Sequence, residues 1–222
     1  AYEIMPSLVG SEMCIRDRYW IGFTLSLLIF RCFFLLKIVG KNKIRDSWKV
    51  GGVLLVANHT SFFDPPIVGV SYGKKTAFLA RKTLFKKGFF GWLYPKLNAI
   101  PVDQEGADMG SLKRIIKELK NGNPVLIFPE GQRSTDGEIL PGEAGVGLVI
   151  AKSKAPVLPI RIFGAYEAFP RGSKFPKLFT RITVNVGDMI KFEENELKTK
   201  TRDGYQSLSD RVMDSIAVIK KP

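Results

Sequence analysis

The chemistry in this sequence starts from its single histidine. It lies in the run Asn58-His59-Thr60-Ser61-Phe62-Phe63-Asp64-Pro65-Pro66, and no other histidine occurs in the 222 residues. Histidine is the side chain whose unperturbed pKa, about 6.5, lies near neutrality. If the protein needs a neutral-pH general base of that kind, His59 is the candidate. Asp64, five residues on, could orient the ring and stabilise its protonated form.

The spacing says what backbone must lie between them. On a helix of about 3.6 residues per turn, five steps rotate by roughly 140° and the side chains diverge. On a strand, an odd spacing puts them on opposite faces. They meet if a strand ends at His59 and the chain doubles back to a helix that starts at Asp64, with Asp64 as N-cap and Pro65 at the first helical position. An isolated HxxxxD also fits a structural histidine beside a helix cap, so the rest of the chain has to decide.

A second cluster follows about 65 residues later: Ile127-Phe128-Pro129-Glu130-Gly131-Gln132-Arg133-Ser134. Gly131 permits a tight turn or close ligand approach. Arg133 offers a planar fork suited to phosphate. Glu130 could fix that arginine or bind a hydroxyl. A surface turn with a salt bridge would use the same residues.

The elements that must position these groups alternate from residue 46 onward. Residues 53–57 (VLLVA) form a short apolar run bounded by Gly51-Gly52 and Asn58, which reads as a buried strand. Strands are expected at 76–80, 125–128, 157–163 and 181–186. Helices are expected at 107–120, with Leu112, Ile115, Ile116 and Leu119 on one face, at 142–153 and at 205–219. The reading is α/β: one domain with a mixed β-sheet flanked by helices.

At 45% hydrophobic and 25% charged residues, the composition is that of a globular chain. The net charge of +13 draws polyanions: nucleic acid, anionic headgroups or phosphorylated substrates. The segment 85–97 (FKKGFFGWLYPKL) mixes aromatics with lysines, as lipid–water interfaces do. It also fits a single-strand nucleic-acid platform, but no nucleic-acid module accompanies it. Cys14 and Cys32 form no CxxC pair, and a zinc site lacks ligands. No GxSxG elbow is present, and Gly142-Glu143-Ala144-Gly145-Val146-Gly147 lacks the ending of a phosphate-binding P-loop.

Residues 1–18 show no sustained period and are set aside as a non-native segment. They hold three acidic and two basic residues, so the remainder carries +14. Residues 19–39 then form a 21-residue apolar run, long enough to span a bilayer. Arg31 inside it argues against a simple span, because a mid-membrane arginine costs about 2.5–3.5 kcal/mol. A helix lying in the interface and a buried core helix are the alternatives. The basic residues that follow favour a membrane anchor with the body on the cytoplasmic side. The expected organisation is a non-native segment at 1–18, a membrane-anchoring helix and basic flank at 19–45, and the α/β domain at 46–222.

Taken in order, these runs resemble the glycerolipid acyltransferases, particularly the bacterial 1-acylglycerol-3-phosphate acyltransferases. The resemblance covers about residues 49–190. Asn58-His59 through Asp64 looks like the family's NHxxxxD block, and Phe128 to Ser134 like its FPEGTRS block, with Gln132 at the usual threonine. Arg81-Lys82-Thr83-Leu84 followed by Phe89-Phe90-Gly91-Trp92 is similar to the basic KxEL-type element. Ala155-Pro156-Val157-Leu158-Pro159-Ile160 is similar to the late VxPI-type strand. One block departs: where the family reads GAIPVDR, with its arginine assigned to the acceptor phosphate, Asp103 is followed here by Gln104. An uncompensated loss of that contact would weaken acceptor binding by about 1.5–3 kcal/mol.

The resemblance implies a fatty acyl transfer from acyl-CoA or acyl-carrier protein to the free hydroxyl of a lysophospholipid. His59 and Asp64 would be catalytic, and Arg81, Lys82, Glu130, Gly131 and Arg133 would bind the acceptor. It implies no metal and no cofactor beyond the acyl donor. The partners would be membrane lipids and not nucleic acid, and the location the cytoplasmic face of the bacterial inner membrane. The alternatives are acylation of another lyso-lipid, such as a lyso-ornithine lipid, and a lipid or thioester hydrolase.

Overall fold

The computed structural model describes residues 7–81, 99–102 and 109–222. Lys82, Gln104, the segment 85–97 and the side chain of Arg81 lie outside the described residues. Seven strands form one sheet in the order β1-β7-β6-β2-β5-β3-β4. They are β1 (Lys37–Val39), β2 (Leu54–Ala57), β3 (Ala77–Arg81), β4 (Ala99–Val102), β5 (Val125–Ile127), β6 (Val157–Phe163) and β7 (Thr183–Val186). Among the described strand pairs only β6–β7 is antiparallel, so the sheet is mixed.

At the centre, β2 is fully buried and lies parallel to β5 on one side and β6 on the other. A strand covered on both faces reads as an unbroken apolar run, which is why LLVA shows no alternation. Side-chain alternation still divides it. Leu55 and Ala57 enter the core shared with α1 (Ser7–Phe34) and α3 (Asp64–Tyr72). Leu54 and Val56 enter the core shared with α4 (Met109–Lys120), α5 (Ala144–Ser153) and α8 (Arg202–Ala217). Shorter helices are α2 (Lys41–Ser47), α6 (Ala165–Ala168) and α7 (Glu194–Leu197). The result is a three-layer α/β arrangement.

The small residues of α5 let α8 come close. A Cβ placed on Gly147 would lie 1.8 Å from the Tyr205 carbonyl oxygen, so backbone would have to move. On Gly145 it would meet nothing nearer than Leu112 Cδ1 at 4.0 Å. Gly147→Ala should therefore cost about 3 kcal/mol or more. Gly145→Ala should be neutral or slightly stabilising. Urea denaturation of the two variants measures the contrast, and equal midpoints would contradict it.

The apolar run at 19–39 is not one helix. The helix α1 begins at Ser7, inside the segment set aside, and ends at Phe34. Leu35 turns left-handed at φ 45°, and the Leu36 N–H closes onto the Phe30 carbonyl. Lys37–Val39 then pairs in parallel with Thr183–Asn185 as the sheet's edge strand, so the sheet starts before residue 46. Among the described residues no helix is long and apolar enough to cross a membrane. Phe23, Leu27, Phe30 and Phe34, at helical spacing, pack one face of α1 against the core.

Candidate active site

The strand β2 ends at Ala57, and Asn58 carries the pairing one step further with its side chain. Its Nδ2 donates to the Ile162 carbonyl at 3.1 Å, and its Oδ1 accepts the Ile162 N–H at 2.7 Å. The amide replaces a ladder step, and the main chain is free to leave the sheet. His59 then opens a turn that closes at α3.

His59 and Asp64 meet in that turn. His59 Nδ1 lies 2.9 Å from Asp64 Oδ2. Asp64 is fully buried, whereas the histidine side chain keeps 18% of its exposure. An ionised carboxylate only accepts, so the bond needs the tautomer with hydrogen on Nδ1, which leaves Nε2 as the basic nitrogen. Asp64 Oδ2 also accepts the Thr60 and Ser61 N–H groups, each at 2.7 Å.

Asp64 is not the cap expected from sequence. Phe63 is the N-cap and Asp64 the first helical residue, followed by Pro65 and Pro66. Neither proline has an N–H, so the first turn of α3 offers the carboxylate few donors of its own. It turns back into the preceding loop and gathers that loop around His59.

The second cluster clamps the same histidine. The Ser134 N–H donates to the His59 carbonyl at 2.8 Å, and the His59 N–H donates to Glu130 Oε1 at 2.9 Å. Both polar groups of the His59 main chain are thus held by the loop after β5. The Phe128 ring stacks on the imidazole, with centroids 4.1 Å apart and planes at 18°. Gly131, at φ 66°, lets the loop turn, and its N–H bonds back to the Phe128 carbonyl at 3.2 Å. The Arg133 guanidinium lies 3.4 Å above the Phe62 ring, inside cation–π range.

Glu130 is buried, at 3% exposure, with its Oε1 on the His59 N–H. Burial raises its pKa from 4.5 to about 7; the His59 and Leu140 N–H groups pull it down, and the charge of Asp64 adds to the rise. A carboxyl with a folded-state pKa above its unfolded value binds its proton more tightly when folded. Its stabilising contribution is complete below about pH 4.5 and is lost as pH rises to about 7. Glu130→Gln keeps an oxygen for the His59 N–H and removes this titration. The variant should therefore gain on wild type between about pH 5 and pH 8, by up to about 3 kcal/mol. Urea titrations at both pH values measure it, and identical pH dependence in the two proteins would contradict it.

Ser61, the serine two residues after His59, is committed elsewhere. Its Oγ donates to the Phe169 carbonyl at 2.8 Å and accepts the Phe63 N–H at 3.2 Å. It is fully buried and serves as a brace. Phe63 in turn packs against Phe30 and Phe34 of α1, with ring centroids 5.3 and 5.0 Å apart.

The structure thus brings His59, Asp64, Glu130, Gly131 and Arg133 into one neighbourhood. Arg81 closes β3 beside β5, from which the clamping loop departs. Sequence reasoning did not assign roles to Asn58, Phe62, Phe128 or Ser134. Each sits inside a quoted block, but its partner is a backbone group or a ring supplied by a distant segment.

The sequence model of a family described as Acyltransferase matches residues 36–163. The chloroplast protein 1-acyl-sn-glycerol-3-phosphate acyltransferase BAT2 of Brassica napus is 32% identical over 121 residues, which is 54% of this chain and 35% of that protein. A 1-acyl-sn-glycerol-3-phosphate acyltransferase of Streptococcus pneumoniae is 27% identical over 161 residues, 72% of this chain and 57% of its own. One from Bacillus subtilis is 32% identical over 125 residues, 54% of this chain and 62% of its own. The chain thus matches about a third of the length of the plant relative and about three fifths of the bacterial ones. The crystal structure of the 1-acyl-sn-glycerophosphate acyltransferase PlsC from Thermotoga maritima shares the fold, with a TM-score of 0.66 at 24% identity, covering 99% of this chain and 86% of that one.

Proposed function

The chain belongs to the Acyltransferase family, and from that premise we propose that it moves a fatty acyl group from acyl-CoA or acyl-carrier protein to the free sn-2 hydroxyl of 1-acylglycerol-3-phosphate, making phosphatidic acid. The observation that carries this reading is the 2.9 Å contact between His59 Nδ1 and buried Asp64, with Nε2 left basic on a partly exposed ring. Nε2 takes the proton of the acceptor hydroxyl as its oxygen attacks the thioester carbonyl carbon. A tetrahedral oxyanion forms and collapses, the carbon–sulfur bond breaks, and the thiolate takes the proton back from the imidazolium. Asp64 stabilises that cation while it lasts.

Arg133, flattened on Phe62, meets the acceptor phosphate, helped by Arg81, Lys82 and the open backbone at Gly131. Glu130 acts from beneath by holding His59 in place. Arg133→Ala should raise the acceptor KM about tenfold or more and leave the acyl-donor KM unchanged. Equal effects on both would remove the arginine from the headgroup site. The protein is membrane-associated at the cytoplasmic face of the bacterial inner membrane, with α1 lying in the interface.

Thiol release from acyl-CoA and from acyl-carrier protein, measured with a panel of lyso-lipids, tests the reading. Release should require an acceptor and be fastest with lysophosphatidic acid. Preference for a lyso-lipid without a phosphate monoester would replace the acceptor, a reading that Gln104 favours. Release independent of any acceptor would make the protein a hydrolase instead.

A further inference from the structure

The stretch between α6 and β7 has no part in the chemistry above. Its Phe175 is 82% exposed and its Phe179 67% exposed. Phe179 also holds a left-handed backbone at φ 60°, which L-residues with a Cβ avoid. Strain and exposure together at one phenylalanine point to a function for it. The segment Arg171–Arg181 reads RGSKFPKLFTR, with four basic residues and no acidic one. Arg171, Lys174, Lys177 and Arg181 are all exposed.

The loop is tied down. The Lys177 N–H donates to the Ala168 carbonyl and the Phe179 N–H to the Phe33 carbonyl, each at 2.7 Å. The Phe179 and Phe33 rings lie 6.5 Å apart. Phe33, Ile29 and Leu25, on the side of α1 away from the core, are also exposed, at 44%, 39% and 54%. The exposed apolar surface of the loop therefore continues onto α1. At its root, the Phe169 carbonyl accepts Ser61 Oγ at 2.8 Å, and the Phe169 ring lies 5.8 and 5.0 Å from those of Phe62 and Phe63.

We propose that residues 171–179 are a bilayer-docking element that seats, together with the outer face of α1, on an anionic lipid surface. Phenylalanines enter the acyl boundary, and the flanking lysines and arginines meet headgroup phosphates. A second copy of the chain fits less well: a two-fold contact would set this basic patch against itself. Because the loop is rooted on the catalytic turn, docking fixes the height of His59 above the leaflet; this last step alone rests on the acyltransferase reading.

The test is flotation of the full chain with neutral phosphatidylcholine vesicles and with vesicles containing phosphatidylglycerol. Phe175→Ser with Phe179→Ser should weaken binding to the anionic vesicles about tenfold or more. Lys174→Glu with Lys177→Glu should remove the preference for them. Both double variants should keep the wild-type Tm and thiol release on a short-chain, monodisperse lyso-lipid. Unchanged vesicle binding in both would overturn the proposal. So would a change in oligomeric state on sizing with vesicle binding intact, which would give the face to a second copy. A wild type that floats but releases no thiol, with variants that fail to float, would overturn the acyltransferase reading and support this one.

Discussion

Replacing His59 with alanine should lower acyl transfer by about 10³-fold or more while the protein stays folded. The chain has no second histidine to take over. Asp64 and Glu130, buried carboxyls nearby, each have an oxygen already taken by backbone N–H groups of the loop. Loss of a positioned general base typically removes about 10² to 10⁴ in rate. Folding should survive because what clamps residue 59 is its backbone: the bonds to Glu130 and Ser134 use its N–H and carbonyl. The stacked contact with Phe128 is lost, at about 1 kcal/mol, and so is the Nδ1 bond to the buried Asp64 carboxyl, at about 1.5–3 kcal/mol. The check is kcat by thiol release beside a thermal melt. A folded, active variant would remove the general-base mechanism.

Asp64→Asn should produce a loss of comparable order, about 10² to 10⁴ in kcat, for a different reason. The amide oxygen can take the place of Oδ2 and still accept the Thr60 and Ser61 N–H groups, so the turn is kept. It carries no charge to stabilise the imidazolium. Its NH₂ falls where Oδ1 now lies, buried and without a hydrogen-bond partner, which should cost about 1–3 kcal/mol of stability. Because the pair acts as a unit, the double variant should be scarcely slower than His59→Ala alone. Multiplicative losses in the double variant would show that the two residues work independently.

Much of this site was legible from residue order. The apolar run before Asn58 and the Pro-Pro pair after Asp64 mark a strand end and a helix start, and the five-residue gap between the functional side chains fits only a turn. Other parts were not legible, because their causes lie far along the chain. Nothing in the run 19–39 marks the change from helix to strand, since the partner that makes Lys37–Val39 a strand is Thr183–Asn185. The Asp64 carboxylate reads locally as a cap; its actual direction depends on donors in the loop before it. Glu130 beside Arg133 suggests a surface pair, and only the fold reveals that it faces the backbone of His59. Phe62 and Phe128 look like ordinary core until Arg133 and the imidazole are found on their faces.

The side-chain amide of Asn58 has a consequence for when the protein becomes active during synthesis. The residues proposed to carry the reaction are translated early, yet their bearings come from Glu130 and Ser134, from Ile162, 104 positions after Asn58, and, last, from Phe169. A nascent chain that has released His59 and Asp64 but not β6 holds the pair without its aim. Activity is therefore expected to switch on in one late step, as the β6 sequence leaves the ribosome and docks beside β2. Until then, under the function proposed above, a half-made chain would leave its acyl donor intact.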